Sequence, residues 1–149
     1  MRTLRNLALS AAGVAVVLTT GSGIAAAAPN AADTPREAIA RAYIDALVSH
    51  NAADVRFAPD ATRVEAGLKT GFSGPQMTRD LEQGLQYRVI QGIRDLEMSE
   101  AGNTVSTTYL LDAGVAGTKL MTVEITETFD VPDGTIHAIV ADIAPKSLS

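Results

Sequence analysis

TPREAIARAYIDALVSHNAADVRFAPDATRVEAG, residues 34 to 67, holds a marked helix start, an amphipathic helix, a break and the beginning of a strand. Thr34 and Glu37 have the S/T-x-x-E spacing of a capping box, and Pro35 suits the first helical position. Ile39, Ala42, Tyr43, Ala46 and Leu47 then recur at the three- and four-residue spacing of one helical stripe, while Arg36, Arg41, Asp45 and Ser49 fall elsewhere. This helix lays a narrow face, small except for Tyr43, on something flat. It ends near His50, where an imidazole gains from the helix dipole and the open carbonyls. The next residues, AADVRFAPDA, predict one helical turn around Val55 and Phe57, stopped by Pro59. Asp60 is expected to cap the turn before TRVEAG, which reads as a strand.

Downstream, LKTGFSG is a loop or a short second strand broken by glycines. A second helix is predicted over SGPQMTRDLEQGL, because Ser73 and Gln76 repeat the capping-box spacing, Met77 and Leu81 share a face, and Gly84 offers a stop. From Tyr87 onward the apolar period changes to two. YRVIQGIRDLEMSE runs to a turn at AGN, TVSTTYLL to DAGVAG, KLMTVEITETFDV to PDG, and TIHAIVADI closes the domain. Hairpin-length loops make these strands an antiparallel meander. Helices first and long hairpins afterwards define an α+β fold.

Upstream, residues 1–27 have the three parts of an export signal: Arg2 and Arg5, an apolar run from Leu7 to Leu18, and small residues with Ala25 and Ala27 at A-x-A spacing. The run is short of the ~20 residues a spanning helix needs, so cleavage is expected, with no stable membrane anchor afterwards. Residues 28–33 read as a flexible leader, 34–144 as one domain and 145–149 as a tail. The expected location is secreted or in the cell-envelope space. The chain has no cysteine, which excludes disulfides, thiol catalysis and thiolate metal sites. Removing Arg2 and Arg5 leaves 10 basic residues against 17 acidic ones, a net charge of −7. That balance argues against nucleic acid and anionic membranes and toward small molecules or proteins.

The order of these elements resembles the nuclear transport factor 2-like cone fold, shared by ketosteroid isomerase, polyketide cyclases and many binding domains. ARAYIDALVSHNAADVRFAPDATRVEAG followed by GFSGPQMTRDLEQGL is similar to the front half of ketosteroid isomerase in order and spacing, and the likeness covers roughly residues 34 to 143. More narrowly, the HN…FAPDATRVE-x-G arrangement resembles an exported cone-fold branch of unknown function from fungi and actinobacteria. The resemblance implies a curved antiparallel sheet wrapped around N-terminal helices, with an apolar pocket between them. Its expected lining is Tyr43, Leu47, Phe57, Phe72, Met77 and Leu81 from the first half, and Met121, Val123, Ile125 and Phe129 from one late strand.

Carried over residue by residue, the resemblance implies Tyr43 as an oxyanion donor and Glu65 as a proton-shuttling carboxylate. The isomerase's second donor, a protonated aspartate, falls on Ile125, which leaves half of that site missing. Alternation also sets Thr62, Val64 and Ala66 on one face of the strand against Arg63 and Glu65, so Glu65 faces water if Val64 faces the core. If Glu65 points inward, Arg63 comes with it and blunts it as a base. Tyr43 has a plainer reading as a core tyrosine with its hydroxyl near a pocket mouth. Glu127 shares a face with Ile125 and Phe129, yet as an acid near a strand end it is expected to be solvated. His50 and His137 lack ligand spacing, so no metal is expected, and the glycine-rich turns lack phosphate-loop context, so no cofactor is expected. Three functional readings stand: binding of a small apolar or carbonyl-bearing molecule in the cone; an isomerase, cyclase or dehydratase using Glu65 and Tyr43; and a homodimer through the open sheet face.

Overall fold

The structure, a computed structural model, describes residues 32–147. The expected signal segment and all but the last residues of the leader lie outside the described residues. Helix α1, Pro35–Ser49, starts as the capping box predicts: the Glu37 amide donates to Thr34 Oγ1 at 3.1 Å and the Thr34 amide to Glu37 Oε2 at 2.9 Å. Long-range bonds fix the same end. Thr34 Oγ1 donates to Glu100, and Arg36 donates to Glu100 at 3.0 Å and to the Val131 carbonyl at 2.8 Å. The helix closes on His50, whose left-handed φ of 56° lets its N–H reach the Ala46 carbonyl.

The remaining elements are β1 (Phe57–Glu65), β2 (Leu68–Gly71), α2 (Gly74–Gln83), a single 3-10 turn (Leu85–Tyr87), β3 (Ile90–Ala101), β4 (Thr104–Val115), β5 (Thr118–Asp130) and β6 (Ile136–Lys146). The helical turn expected around Val55 and Phe57 is reduced to one hydrogen-bonded turn, in which the Val55 amide donates to the Ala52 carbonyl at 3.0 Å, and it does not include Phe57. Phe57 instead opens β1, opposite Ile136, and Pro59 falls in the stretch where the register slips before Thr62. A bulged stretch is where a strand tolerates a residue with no N–H to give. Asp60, expected to cap a turn, is exposed within that same stretch. In α2 the Gln76 amide donates to Ser73 Oγ as predicted, but the Gln76 side chain accepts from the Phe72 amide at 2.7 Å instead of from the cap.

The six strands form one sheet in the order β2-β1-β6-β5-β4-β3. Strands β3 to β6 are the expected meander, and β6 continues past 144 to Lys146. The connection not anticipated from sequence is β1 against β6, which is parallel. Two-residue turns at Ala66–Gly67 and Ala116–Gly117 have positive φ at both positions (48° and 79°, 51° and 78°), the primed geometry that matches strand twist. Both helices lie on one sheet face, and the core there joins Ala40, Tyr43, Ile44 and Leu47 of α1 and Leu81 of α2 to Val105, Tyr109, Ile125, Phe129 and Ile139.

The parallel pairing decides how β1 faces. Arg63 sits beside Ile139 and Glu65 beside Ala141, both of which point toward the helices. The inward set is therefore Ala61, Arg63 and Glu65, while Val64 lies on the outer face beside Val140. Alternation was read correctly, and the choice of face is the opposite of the one that would leave Glu65 in water. Arg63 is 1% exposed.

Candidate functional site

A cavity of about 260 Å³ opens between α1, the turn after α2 and the inner sheet face. Its walls are apolar: Leu47, Ile90, Leu111, Val123, Ile125 and Ala141, with half-exposed Val89 and Ile143 toward solvent. Six residues with polar side chains border it: Tyr43, Glu65, Gln86, Tyr87, Tyr109 and Glu127. Its size falls just below the ~300–1,000 Å³ common for small-molecule sites. A larger surface depression of about 510 Å³ is bordered by Arg94, Lys119, Glu124 and Lys146, which pair with acids or with each other in solvent, and it has no comparable convergence of buried groups.

Glu127 is the unusual member. It lies in the middle of the sheet on β5, is 2% exposed, and accepts a hydrogen bond from the Tyr109 hydroxyl at 2.8 Å. Burial pushes its carboxyl up to about 8; the Tyr109 bond and the Arg63 cation pull the other way, and Glu65 adds to the rise. It is therefore mainly protonated at neutral pH, a form able to donate as well as accept. The expectation of a solvated Glu127 fails because β5 runs to Asp130 with β4 and β6 on either side, so residue 127 is interior to the sheet.

The second polar group centres on Arg63. Its Nε donates to Thr70 Oγ1 at 3.0 Å and lies 3.5 Å from Glu65, while Nη2 lies 3.5 Å from Asp80. Nη1 reaches the Tyr43 hydroxyl in a long bond of 3.4 Å. Burial works against the charge, but Tyr43, Tyr87 and Glu65 outweigh it, and the guanidinium stays cationic. Glu65 also accepts from Thr70 Oγ1 at 2.7 Å, so its carboxylate is held at the edge of the cavity by two partners. Gly71 makes this packing possible, because a Cβ there would stand 2.6 Å from Arg63 Cβ and 2.8 Å from its backbone nitrogen. Desolvation raises the phenols of Tyr43, Tyr87 and Tyr109 above the ordinary range, so all three stay protonated.

Of the residues expected to line a pocket, Tyr43, Leu47, Val123 and Ile125 lie on this cavity, and so does Glu65, the expected proton shuttle. Phe57 and Phe129 pack edge-on to the Tyr43 ring at 6.0 and 5.4 Å and serve as its backing. Leu81 is fully buried in the main core, and Met77 belongs to a separate cluster with Ala58 and Ala61. Phe72 is 63% exposed, beneath the Lys69 ammonium, and Met121 is 45% exposed at the far end of β5, so neither reaches the cavity. Sequence reasoning did not single out Tyr87, Tyr109 or Arg63 as site residues. Tyr109 was within reach: Thr107 pairs with Glu127 across β4 and β5, which makes Tyr109 a same-face diagonal neighbour. His137 lies outside the site, 3.0 Å from Asp133, and among the described residues no cluster of His, Asp and Glu could hold a metal ion.

The helices-on-sheet architecture is the nuclear transport factor 2-like (NTF2-like) fold, and solved structures share that fold. They include an LEH-like epoxide hydrolase from M. tuberculosis (TM-score 0.61, 14% identity, covering 73% of this chain and 82% of that one). A putative ketosteroid isomerase from Kribbella flavida gives 0.58 at 15% identity, covering 77% and 81%. An NTF2-like protein of unknown function from Cytophaga hutchinsonii gives 0.56 at 17%, covering 77% and 94%. Likeness at these identities shows the fold alone. Residues 31–143 match the family described as Domain of unknown function (DUF8021), and the chain belongs to that family. No curated protein matches the sequence.

Proposed function

We propose that this protein, exported through its first 27 residues, binds a small, mostly apolar, carbonyl-bearing molecule in the cavity. The observation that carries the reading is the Glu127–Tyr109 pair: two buried, hydrogen-bonded polar side chains meet on a cavity whose other sheet residues, Leu111, Val123, Ile125 and Ala141, are apolar. Neighbours of the same fold named as an epoxide hydrolase and a putative ketosteroid isomerase support a small organic ligand. A suitable probe is 1-indanone, a neutral ketone of ten heavy atoms, for which ligand efficiency sets an expected Kd in the roughly millimolar range. Titration of the full-length protein, followed by methyl NMR, is expected to give saturable shifts at Leu47, Val123 and Ile125. Val123→Trp, which fills the cavity, abolishes them. Shifts confined to the outer sheet face, or equal binding by Val123→Trp, contradict the reading.

A second reading, proton transfer beside the ligand's carbonyl, is favoured by the proton affinity of Glu127. Glu65, the carboxyl that sequence reasoning favours for this step, is occupied by Thr70 and Arg63. In this reading Glu127 removes a proton from the carbon next to the carbonyl and returns one from solvent. Deuterium exchange into 1-indanone at that carbon is then accelerated by the protein, rises toward pH 8, and is lost in Glu127→Gln. Exchange at the uncatalysed rate leaves binding alone.

A further inference from the structure

Exposure along the inner sheet face rises in one direction. On β5 the inward residues Glu127, Ile125, Val123 and Met121 are 2, 5, 8 and 45% exposed, and on β6 Ile139, Ala141 and Ile143 are 1, 5 and 45% exposed. Cover therefore ends between Val123 and Met121 on one strand and between Ala141 and Ile143 on the other. The cavity opens there, where Ile143 and Val89 are wall and surface at once. The Glu127–Tyr109 pair stands at the deep end. Beyond the opening the same face continues for one pleat, through Pro145 opposite Val123 and Met121 opposite Ala113. No charge interrupts that row. Asp112, Glu124 and Lys146 have the other parity, and on the outer face Lys146 pairs with Glu124 at 2.9 Å while Arg94 and Lys119 pair with Asp112 at 3.2 and 3.8 Å.

We propose that the ligand carries an unbranched apolar tail, which leaves the cavity at Ile143 and lies along Pro145 and Met121, so that the carbonyl end enters first and the tail points outward. The inference rests on the cavity-binding reading above and adds the ligand's length and polarity. A head that fills about 260 Å³ leaves the remainder of a larger molecule outside, and the adjoining surface is apolar. Two residues of strand span about 7 Å, so the row from Val123 to Met121 accommodates a short alkyl chain. Val89, Ile143, Pro145 and Met121 are far fewer than the ~20–30 residues that a stable protein interface uses on each side. The chain's net charge of −5 opposes an anionic lipid surface. A small-molecule tail is the occupant that matches the size and the absence of charge.

The test titrates the full-length protein with acetophenone, para-butylacetophenone and para-hexylacetophenone, followed by methyl NMR. Full burial of a methylene is worth about fourfold in affinity, and burial on a half-open row about twofold. The butyl compound is therefore expected to bind at least about tenfold more tightly than acetophenone, with saturable shifts at the Met121 methyl that acetophenone does not produce. Met121→Gln, at a surface position outside the cavity, is expected to keep acetophenone within about twofold and to cut the advantage of the butyl compound about threefold or more. Equal affinity across the series, a gain that leaves Met121 unshifted, or one that survives Met121→Gln overturns the tail and leaves cavity binding standing. Met121 shifts that follow protein concentration alone, or addition of phosphatidylcholine vesicles without ligand, assign the row to a second copy or a lipid surface and overturn it as well. If none of the compounds shifts Leu47, Val123 or Ile125, with acetophenone taken to roughly 10 mM, both readings fall.

Discussion

Glu127→Gln is expected to remove a pH dependence of stability that the wild type carries. The substitution keeps shape and an acceptor for the Tyr109 hydroxyl, but Gln carries no charge at any pH. In the folded protein the Glu127 carboxyl titrates near 8, raised from 4.5, first because it is desolvated. A raised value means that the folded state holds the proton more tightly than the unfolded chain. The stabilisation is complete below about pH 4.3, declines as pH rises through 8, and is absent above. At ~1.36 kcal/mol per pH unit, the rise from 4.5 to about 8 sets a ceiling of about 5 kcal/mol. Water entry and relaxation reduce such ionisation costs, so about 2–4 kcal/mol is the working expectation. The assay is urea unfolding of full-length wild type and Glu127→Gln at intervals from pH 5 to 9. With slopes of roughly 1–3 kcal/mol per molar urea, the wild-type midpoint falls by about 1 M or more relative to the variant across that range. The variant becomes the more stable protein at pH 9. A difference between the two that stays constant from pH 5 to 9 refutes a buried, protonated Glu127.

Three further outcomes follow from the packing. Gly71→Ala is expected to cost about 1–3 kcal/mol in urea unfolding, because the new methyl collides with Met77 Sδ at 2.4 Å and with the Arg63 backbone; a neutral result would mean β2 shifts freely. Arg63→Met leaves Glu65 and Asp80 without their cation and is expected to destabilise by about 3–5 kcal/mol, whereas a stable variant would show that the cluster adds nothing. Thr34→Ala removes the cap of α1 and is expected to cost about 1 kcal/mol, read as a lower unfolding midpoint; no change would assign the helix start to Arg36 alone.

Local rules made most of the fold legible. The capping box at Thr34, the single side-chain cap at Ser73 and the period-two runs after Tyr87 depend on residues a few positions apart, and the structure follows them. The turn expected around Val55 and Phe57 stops at Val55, because β6, far along the chain, recruits Phe57 into the sheet opposite Ile136. The same distant pairing chose the face of Arg63 and Glu65. Alternation defines two faces and leaves open which one meets the helices. Met121 shares the parity of Val123 and Ile125 but stands at the uncovered end of β5, and parity carries no information about where cover stops. Glu127 had the right parity too, and the decisive fact, two flanking strands extending beyond it, is a property of the assembled sheet.

The binding reading is tested most directly by a methyl NMR titration of the full-length protein with 1-indanone. Saturable shifts at Leu47, Val123 and Ile125, lost in Val123→Trp, are what a ligand cavity walled by these residues predicts. Absence of any shift at those methyls up to roughly 10 mM, while the protein remains folded, would contradict it.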